Sequence, residues 1–294
     1  MKIIKVIPFG YCAGVVKAMD LALAYAKDHP EEQIYLLGML VHNEDSVLEL
    51  TQLGVHVLDE KKAPLLEQLK GLPNGVTVIF SAHGHPSIYE DICASKHIKT
   101  IDTTCVFVRQ NHFLAMKEYQ QSEDIIYIGS KGHLESEGFI ADLPKVSFYD
   151  VKSKTLEIKG KLHSPKLYAQ TTLGKQELET ACAAILSSYP NATLIKGRCH
   201  ATSQRQEALI SAIKKHHPTC LIVLGSATSN NSKKLAEIGE SMGVTSHLCL
   251  NLLEVKQLSF AKEDVILLCS GASTSRERFL EVERYLSSLS ASQR

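Results

Sequence analysis

The sequence predicts an α/β protein: three pseudo-threefold-related α/β domains with small parallel sheets around a central cavity. Three observations carry that expectation. Cys12, Cys105 and Cys199 recur at intervals of 93 and 94 residues in a chain of 294. Each follows a short apolar run and precedes a helix-compatible one, so each ends a strand and opens a helix. After each of those helices comes a β-rich run closing on a glycine (Gly38, Gly129 or Gly225) and then a polar loop. Strands alternating with helices at this spacing indicate parallel sheets in α/β units.

Taken in order, KIIKVI is the first strand and residues 13–26 the first helix. QIYLLG ends at Gly38, the loop MLVHNED follows, and an amphipathic helix leads to a short strand, VHVLD (55–59). VTVIFSAHG then ends in small polar residues, and a helix and the strand HIKTIDTT lead to Cys105. The second repeat runs through VFVRQNHFLAMKEY, DIIYIG, the loop SKGHLES, VSFYD (146–150), KLYAQTTL and ATLIKGR to Cys199. The third runs through HATSQRQEALISAI, LIVLG, SATSNNS, HLCLN (247–251) and VILLCSGAST to the helix RERFLEVERYL. It lacks a closing strand, and KIIKVI is the strand expected to supply it. The domains are therefore expected at 13–105, at 106–199, and at 1–12 plus 200–294.

Composition narrows the function. The chain is 44% hydrophobic and 22% charged, with a net charge of zero. That balance argues against nucleic-acid or membrane-surface partners. No apolar stretch is long enough to span a bilayer. The N-terminal run resembles a secretory signal, but Lys17 and Asp20 interrupt it and cleavage would remove Cys12. A soluble cytoplasmic protein is expected, with its eight cysteines reduced or metal-bound.

Ligands of open parallel sheets bind outside the carboxyl ends of the strands, where all these loops lie. Cys93, Cys182, Cys220, Cys249 and Cys269 sit in apolar helix or strand patterns and read as structural. Cys12, Cys105 and Cys199 stand at helix N-termini, which favour the thiolate. Three soft thiolates select zinc, copper(I) or an iron–sulfur cluster. A structural zinc wants a closed shell, whereas a 4Fe-4S cluster on three cysteines leaves one iron open. His42, His83 and His133 recur at strand ends, and Ser229, Asn230, Asn231, Ser273 and Thr274 add neutral donors. Such donors with helix N-termini can hold a phosphate or diphosphate. Glu135 is the exception, a carboxylate suited to proton transfer, and Thr171 could relay the proton.

These segments resemble the 4-hydroxy-3-methylbut-2-enyl diphosphate reductase family over nearly the whole chain. GYCAGV, LVHN, SAHG, DTTC, GHLESEG, QTTL, SNNS and SGAS stand in the family's order and spacing. The resemblance implies a 4Fe-4S cluster on Cys12, Cys105 and Cys199, its open iron facing the allylic hydroxyl. It implies two-electron, two-proton reduction to isopentenyl and dimethylallyl diphosphate, the last step of the methylerythritol phosphate route. Diphosphate ligands would be His42, His83, Ser229, Asn230, Asn231 and Ser273. His133 and Thr171 would lie near the substrate hydroxyl or phosphate, with Glu135 as proton donor. An external flavodoxin or ferredoxin would deliver electrons. The chain departs from the family's usual residues at Tyr11, His85-Pro86, Val106, Leu134, Asn230 and His200. A related reductase of another allylic or phosphorylated substrate, and a non-enzymatic iron–sulfur redox sensor, are the competing readings. Glu135 among anion-compatible loops favours an enzyme.

Overall fold

Uncharged aliphatic runs such as IYLL, TVIF, IIYIG and CLIVL are what set this fold, because only strands covered on both faces tolerate them. The computed structural model describes residues 1–195 and 199–292. The first elements are β1 (Lys2–Lys5), α1 (Ala13–Asp28), β2 (Ile34–Leu37), α2 (Glu44–Gln52), β3 (His56–Leu58), α3 (Leu65–Gly71), β4 (Thr77–Phe80), α4 (Ile88–Ser95) and β5 (Lys99–Asp102). Next come α5 (Val106–Tyr119), β6 (Ile125–Gly129), α6 (Leu134–Asp142), β7 (Ser147–Asp150), β8 (Thr155–Glu157), β9 (Lys166–Ala169), α7 (Lys175–Ser188) and β10 (Thr193–Leu194). The chain continues through α8 (His200–His216), β11 (Cys220–Leu224), α9 (Asn230–Ser241), β12 (Thr245–Cys249), α10 (Leu252–Val255), β13 (Val265–Ser270) and α11 (Arg276–Ser292).

These strands make three small sheets of one design. Their orders are β3-β2-β4-β5, β7-β6-β9-β10 with β8 added beside β7, and β12-β11-β13-β1. Every pairing is parallel except β7 with β8. β1 runs beside β13, with Lys2 opposite Val265 and Lys5 opposite Leu268. The chain is thus an α/β protein with three small parallel sheets flanked by helices. Three elements were not expected: α3, β8 and α10. β12 lies two residues earlier than the segment expected, since Asn251 caps α10, its side chain accepting from Glu254 N at 3.2 Å. Of the strand expected at 192–198, β10 covers two residues, and 196–198 lie outside the described residues.

Backbone proximity divides the chain into two units. The first holds Met1–Val15, His42–Glu44 and the chain from His200 onward; the second holds Val16–Val41 and Asp45–Cys199. In the first, alternate residues of β11 and β13 face opposite ways, as strand geometry requires. Ile222, Leu224, Ile266 and Leu268 pack on Phe279, Val282 and Leu286 of α11. Leu221, Val223, Leu267 and Cys269 pack on Leu209 and Ile213 of α8 and Leu235 of α9. In the second unit, Val78 and Phe80 meet Leu65, Leu69 and Cys93. Ile126, Ile128 and Leu167 meet Leu178, Ala181 and Ile185 of α7, while Ile125, Tyr127 and Tyr168 meet Ala115, Phe139 and Leu143. No helix among the described residues is long and apolar enough to cross a membrane.

Candidate functional site

The expected site residues all follow carboxyl ends of strands, and they divide between the two units. Cys12, His42, Ser229, Asn230, Asn231 and Ser273 belong to the first; His83, Cys105, His133, Glu135, Thr171 and Cys199 belong to the second.

In the first unit, backbone and side-chain bonds lock three loops together. Cys12 N donates to Ala272 O at 3.0 Å, and Gly10 N to Ser270 Oγ at 3.0 Å. Gly10 holds φ +82°, and its carbonyl accepts from the buried Arg205 guanidinium at 2.7 Å. Ser273 Oγ donates to His42 O at 3.1 Å, and the Asn43 amide donates back to Ser273 O. Ser226 Oγ donates to Glu44 Oε1 at 2.9 Å. Ser232 wedges α9 against two strand ends: a Cβ on Gly225 or on Gly271 would come within 2.1 Å of its Oγ. Only glycine permits that approach. Ser229 caps α9 by accepting from Ser232 N. Asn231, 5% exposed, has neither side-chain amide atom partnered among the described residues. A buried amide left so is costly unless a ligand meets it. Burial, with help from Lys233, pushes His42 below the ordinary histidine value, although Glu44 opposes the shift. The expected ligands here, His42, Ser229, Asn231 and Ser273, are therefore polar and uncharged, with Arg205, Lys233 and Glu44 as charges beside them.

The second unit holds the acid. Glu135 is 5% exposed, and both its oxygens are taken: Thr171 N donates to Oε1 at 2.8 Å and Thr171 Oγ1 to Oε2 at 2.9 Å. Burial raises Glu135 to about 7, against the lowering effect of those two bonds. His133 caps α6, its Nδ1 accepting from Glu135 N at 3.2 Å, so the neutral ring carries its proton on Nε2. The His83 ring meets the His133 ring edge-on at 5.7 Å. Gln170, fully buried, ties these loops by accepting from Ser130 N at 2.9 Å and donating to Thr172 Oγ1 at 2.7 Å.

The cysteines fall into two chemical classes. Burial pushes Cys93, Cys220 and Cys249 up to about 11 and Cys269 to about 12, which keeps them as thiols. Cys12, Cys105 and Cys199 are only half-buried, and each immediately precedes a helix. Cys105 caps α5, its N donating to Ala82 O at 3.0 Å. Asp102 steadies that turn by accepting from Thr104 N at 2.8 Å and pairing with Arg109 at 2.8 Å. Thiols at helix N-termini suit thiolate ligation. Among the described residues, the one group gathering three ligand atoms for a single ion is His29, Glu31 and Glu32, far from this pattern in kind.

Sequence reasoning missed Asn43, Ser46, Ser136, Ser232, Gln170 and Arg205, all buried. A signal existed for the serines: each stands seven or eight residues after Gly38, Gly129 or Gly225. Asn43 precedes the acidic pair that opens α2, which is a helix-start signal. Gln170 opens the QTTL motif without a role having been read for it, and nothing in the pattern marked Arg205.

A family model described as LytB protein matches residues 3–287. A 4-hydroxy-3-methylbut-2-enyl diphosphate reductase of Malacoplasma penetrans is 33% identical over 280 residues, 93% of each chain. The chain belongs to the LytB protein family. The enzyme of that name in Bacillus subtilis is 34% identical over 295 residues, 97% of this chain and 90% of the relative. The solved E-1-hydroxy-2-methyl-but-2-enyl-4-diphosphate reductase of Plasmodium falciparum superposes with a TM-score of 0.84 at 26% identity, covering 97% of this chain and 88% of that one. A second solved reductase, 22% identical with a TM-score of 0.63, shares the fold. Val106 starts α5 and is 58% exposed, whereas Leu134 starts α6 and packs beside Gly38 on the sheet of β2 and β4.

Proposed function

We propose that this LytB-family chain is a 4-hydroxy-3-methylbut-2-enyl diphosphate reductase. It replaces the substrate's allylic hydroxyl by hydrogen, with two electrons and two protons, giving isopentenyl and dimethylallyl diphosphate and water. The observation that carries this reading is a buried carboxyl raised to about 7 and held by Thr171, in a chain whose relatives bear that enzyme's name. Cys12, Cys105 and Cys199 would hold a 4Fe-4S cluster with one iron open, and the half-burial and helix-start positions of the three thiols fit that role. When bound, the cluster supplies electrons and a Lewis-acidic position.

The residues do the rest. His42, Ser229, Asn231 and Ser273 bind the diphosphate with neutral donors, with the start of α9 adding its backbone N–H groups. Asn230 and His83 complete the set. Glu135, protonated near neutral pH, passes its Oε2 proton to Thr171 Oγ1 as the Thr171 hydroxyl proton moves to the leaving hydroxyl, which departs as water; the Thr171 hydroxyl then donates to the ionised Oε2, the bond the structure holds. Oε1 stays on Thr171 N throughout, so the carboxyl keeps its orientation as it ionises. His133, with its proton on Nε2, orients the substrate. A flavodoxin or ferredoxin would deliver electrons in the cytoplasm. We also assign three structural domains at 13–105, 106–199 and 1–12 plus 200–294, a reading supported by the common strand order of the sheets.

The test is anaerobic purification with iron and spectroscopic analysis. Wild type is expected to be brown with about four irons per chain. Cys12→Ser, Cys105→Ser and Cys199→Ser should each lose cluster and activity. A colourless, iron-free wild type removes the cluster.

A further inference from the structure

Among the described residues, two charged side chains are buried: Glu135, 5% exposed, and Arg205, 4% exposed. The reduction uses the first and not the second. A guanidinium stays protonated at every pH a folded protein meets, so Arg205 keeps a full positive charge inside the fold. Taking that charge out of water is costly, and bonds to neutral groups recover only part of the cost.

Arg205 lies on α8, the helix that Cys199 precedes, and its side chain turns back toward the helix start, where Nη1 donates to Ala201 O at 3.1 Å. Its Nη2 donates to Gly10 O at 2.7 Å. Gly10 stands two residues before Cys12, so their Cα atoms are at most about 7 Å apart. The loop is held from β13 as well: Gly10 N donates to Ser270 Oγ and Cys12 N to Ala272 O, each at 3.0 Å. The field of the guanidinium reaches the end of β13, where it opposes the burial that pushes Cys269 up to about 12. The start of a helix is its positive end, which repels a cation. A buried guanidinium fixed there, bonded into the Cys12 loop, marks a place prepared for negative charge.

We propose that Arg205 is a positioning residue for electron entry, fixing the Cys12 loop and setting one buried positive charge beside it. The proposal rests on the reductase reading, in which Cys12 is one of three thiolates that hold the cluster. Each electron taken from the carrier protein adds one negative charge at that place. A fixed positive charge nearby favours the reduced form and so raises the potential at which the electron enters. A buried charge is screened little by salt, so the effect should persist at high ionic strength. The role does not involve the diphosphate, and KM should not change.

The experiment is a redox titration of the iron-loaded protein, followed by visible and electron paramagnetic resonance spectra, for wild type, Arg205→Lys, Arg205→Gln and Arg205→Met. Arg205→Lys keeps the charge without the two-pronged donor. Arg205→Gln keeps a donor for Gly10 O without the charge, and Arg205→Met removes both. At the wild-type midpoint, Arg205→Gln and Arg205→Met should show a reduced-to-oxidised ratio about tenfold lower, a midpoint about 59 mV more negative for one electron. Arg205→Lys should keep a midpoint close to wild type while holding less iron per chain. Should Arg205→Met fail to fold, Arg205→Gln against Arg205→Lys decides the matter. A wild-type midpoint in Arg205→Gln, or equal shifts in Arg205→Gln and Arg205→Lys, overturns the proposal and leaves Arg205 a structural bond alone. An iron-free wild type overturns the cluster and the reductase reading instead, and the proposal falls with them.

Discussion

The loops around Asn231 and those around Glu135 occupy corresponding places in their repeats, at the start of α9 and the start of α6, yet they are finished in opposite ways. Glu135 is saturated: both oxygens already have donors, and burial keeps a proton on it to about pH 7. Asn231 is equally buried, but its amide oxygen and nitrogen have no partner among the described residues. One position is prepared to store and release a proton, the other to receive a ligand. The same scaffold, a glycine-ended strand with a serine wedged under the next helix, supports both.

The largest effect that sharpens this comparison is on turnover. Asn231→Leu should raise KM by roughly 10- to 100-fold, the equivalent of about 1–3 kcal/mol, whereas Glu135→Gln should lower kcat by about 10²–10⁴-fold with little change in KM. Steady-state kinetics separates the two, and similar effects on both constants from both variants would erase the distinction.

Stability should part the regions as well. Between the ordinary value of 4.5 and the folded value of about 7, folded Glu135 retains a proton that the unfolded chain has lost. Stability therefore falls as pH rises through that window and levels off above it, by roughly 3 kcal/mol in all. Denaturant melts across pH 4.5–8 should show this slope in wild type and lose it in Glu135→Gln. Asn231→Leu should keep the slope and leave the ligand-free protein at least as stable, because an unpartnered amide is removed.

A smaller effect comes from Thr171→Val, which removes one of the two bonds favouring the ionised carboxyl. Glu135 should rise further above 7, and the stability slope should extend to higher pH. A downward shift would mean that the Thr171 hydroxyl bonds the neutral form instead.

The sheets were legible in the sequence because strands such as IIYIG and CLIVL are buried on both faces and bounded by glycine and polar loops. The helix VFVRQNHFLAMKEY was legible to the residue, since Cys105 caps it and the apolar spacing runs to Tyr119. β12 was less so: Thr245 and Ser246 begin it on an exposed edge, where polarity hides a strand. The candidate donors could be named from loop position, but their burial could not. Glu135 could as well have been an exposed helix-start glutamate, and only the packing of α6 against β9 and its loop makes it an acid held near neutrality. The unmet Asn231 amide is likewise a product of tertiary packing, which no local pattern encodes.

Anaerobic turnover of 4-hydroxy-3-methylbut-2-enyl diphosphate with a chemical reductant tests the central claim most directly, run on wild type and Glu135→Gln side by side. Wild type should yield isopentenyl and dimethylallyl diphosphate, while Glu135→Gln should fall by at least about 10²-fold with its iron content and cluster spectrum unchanged. Equal turnover by the two, or none by an iron-loaded wild type, would contradict the account.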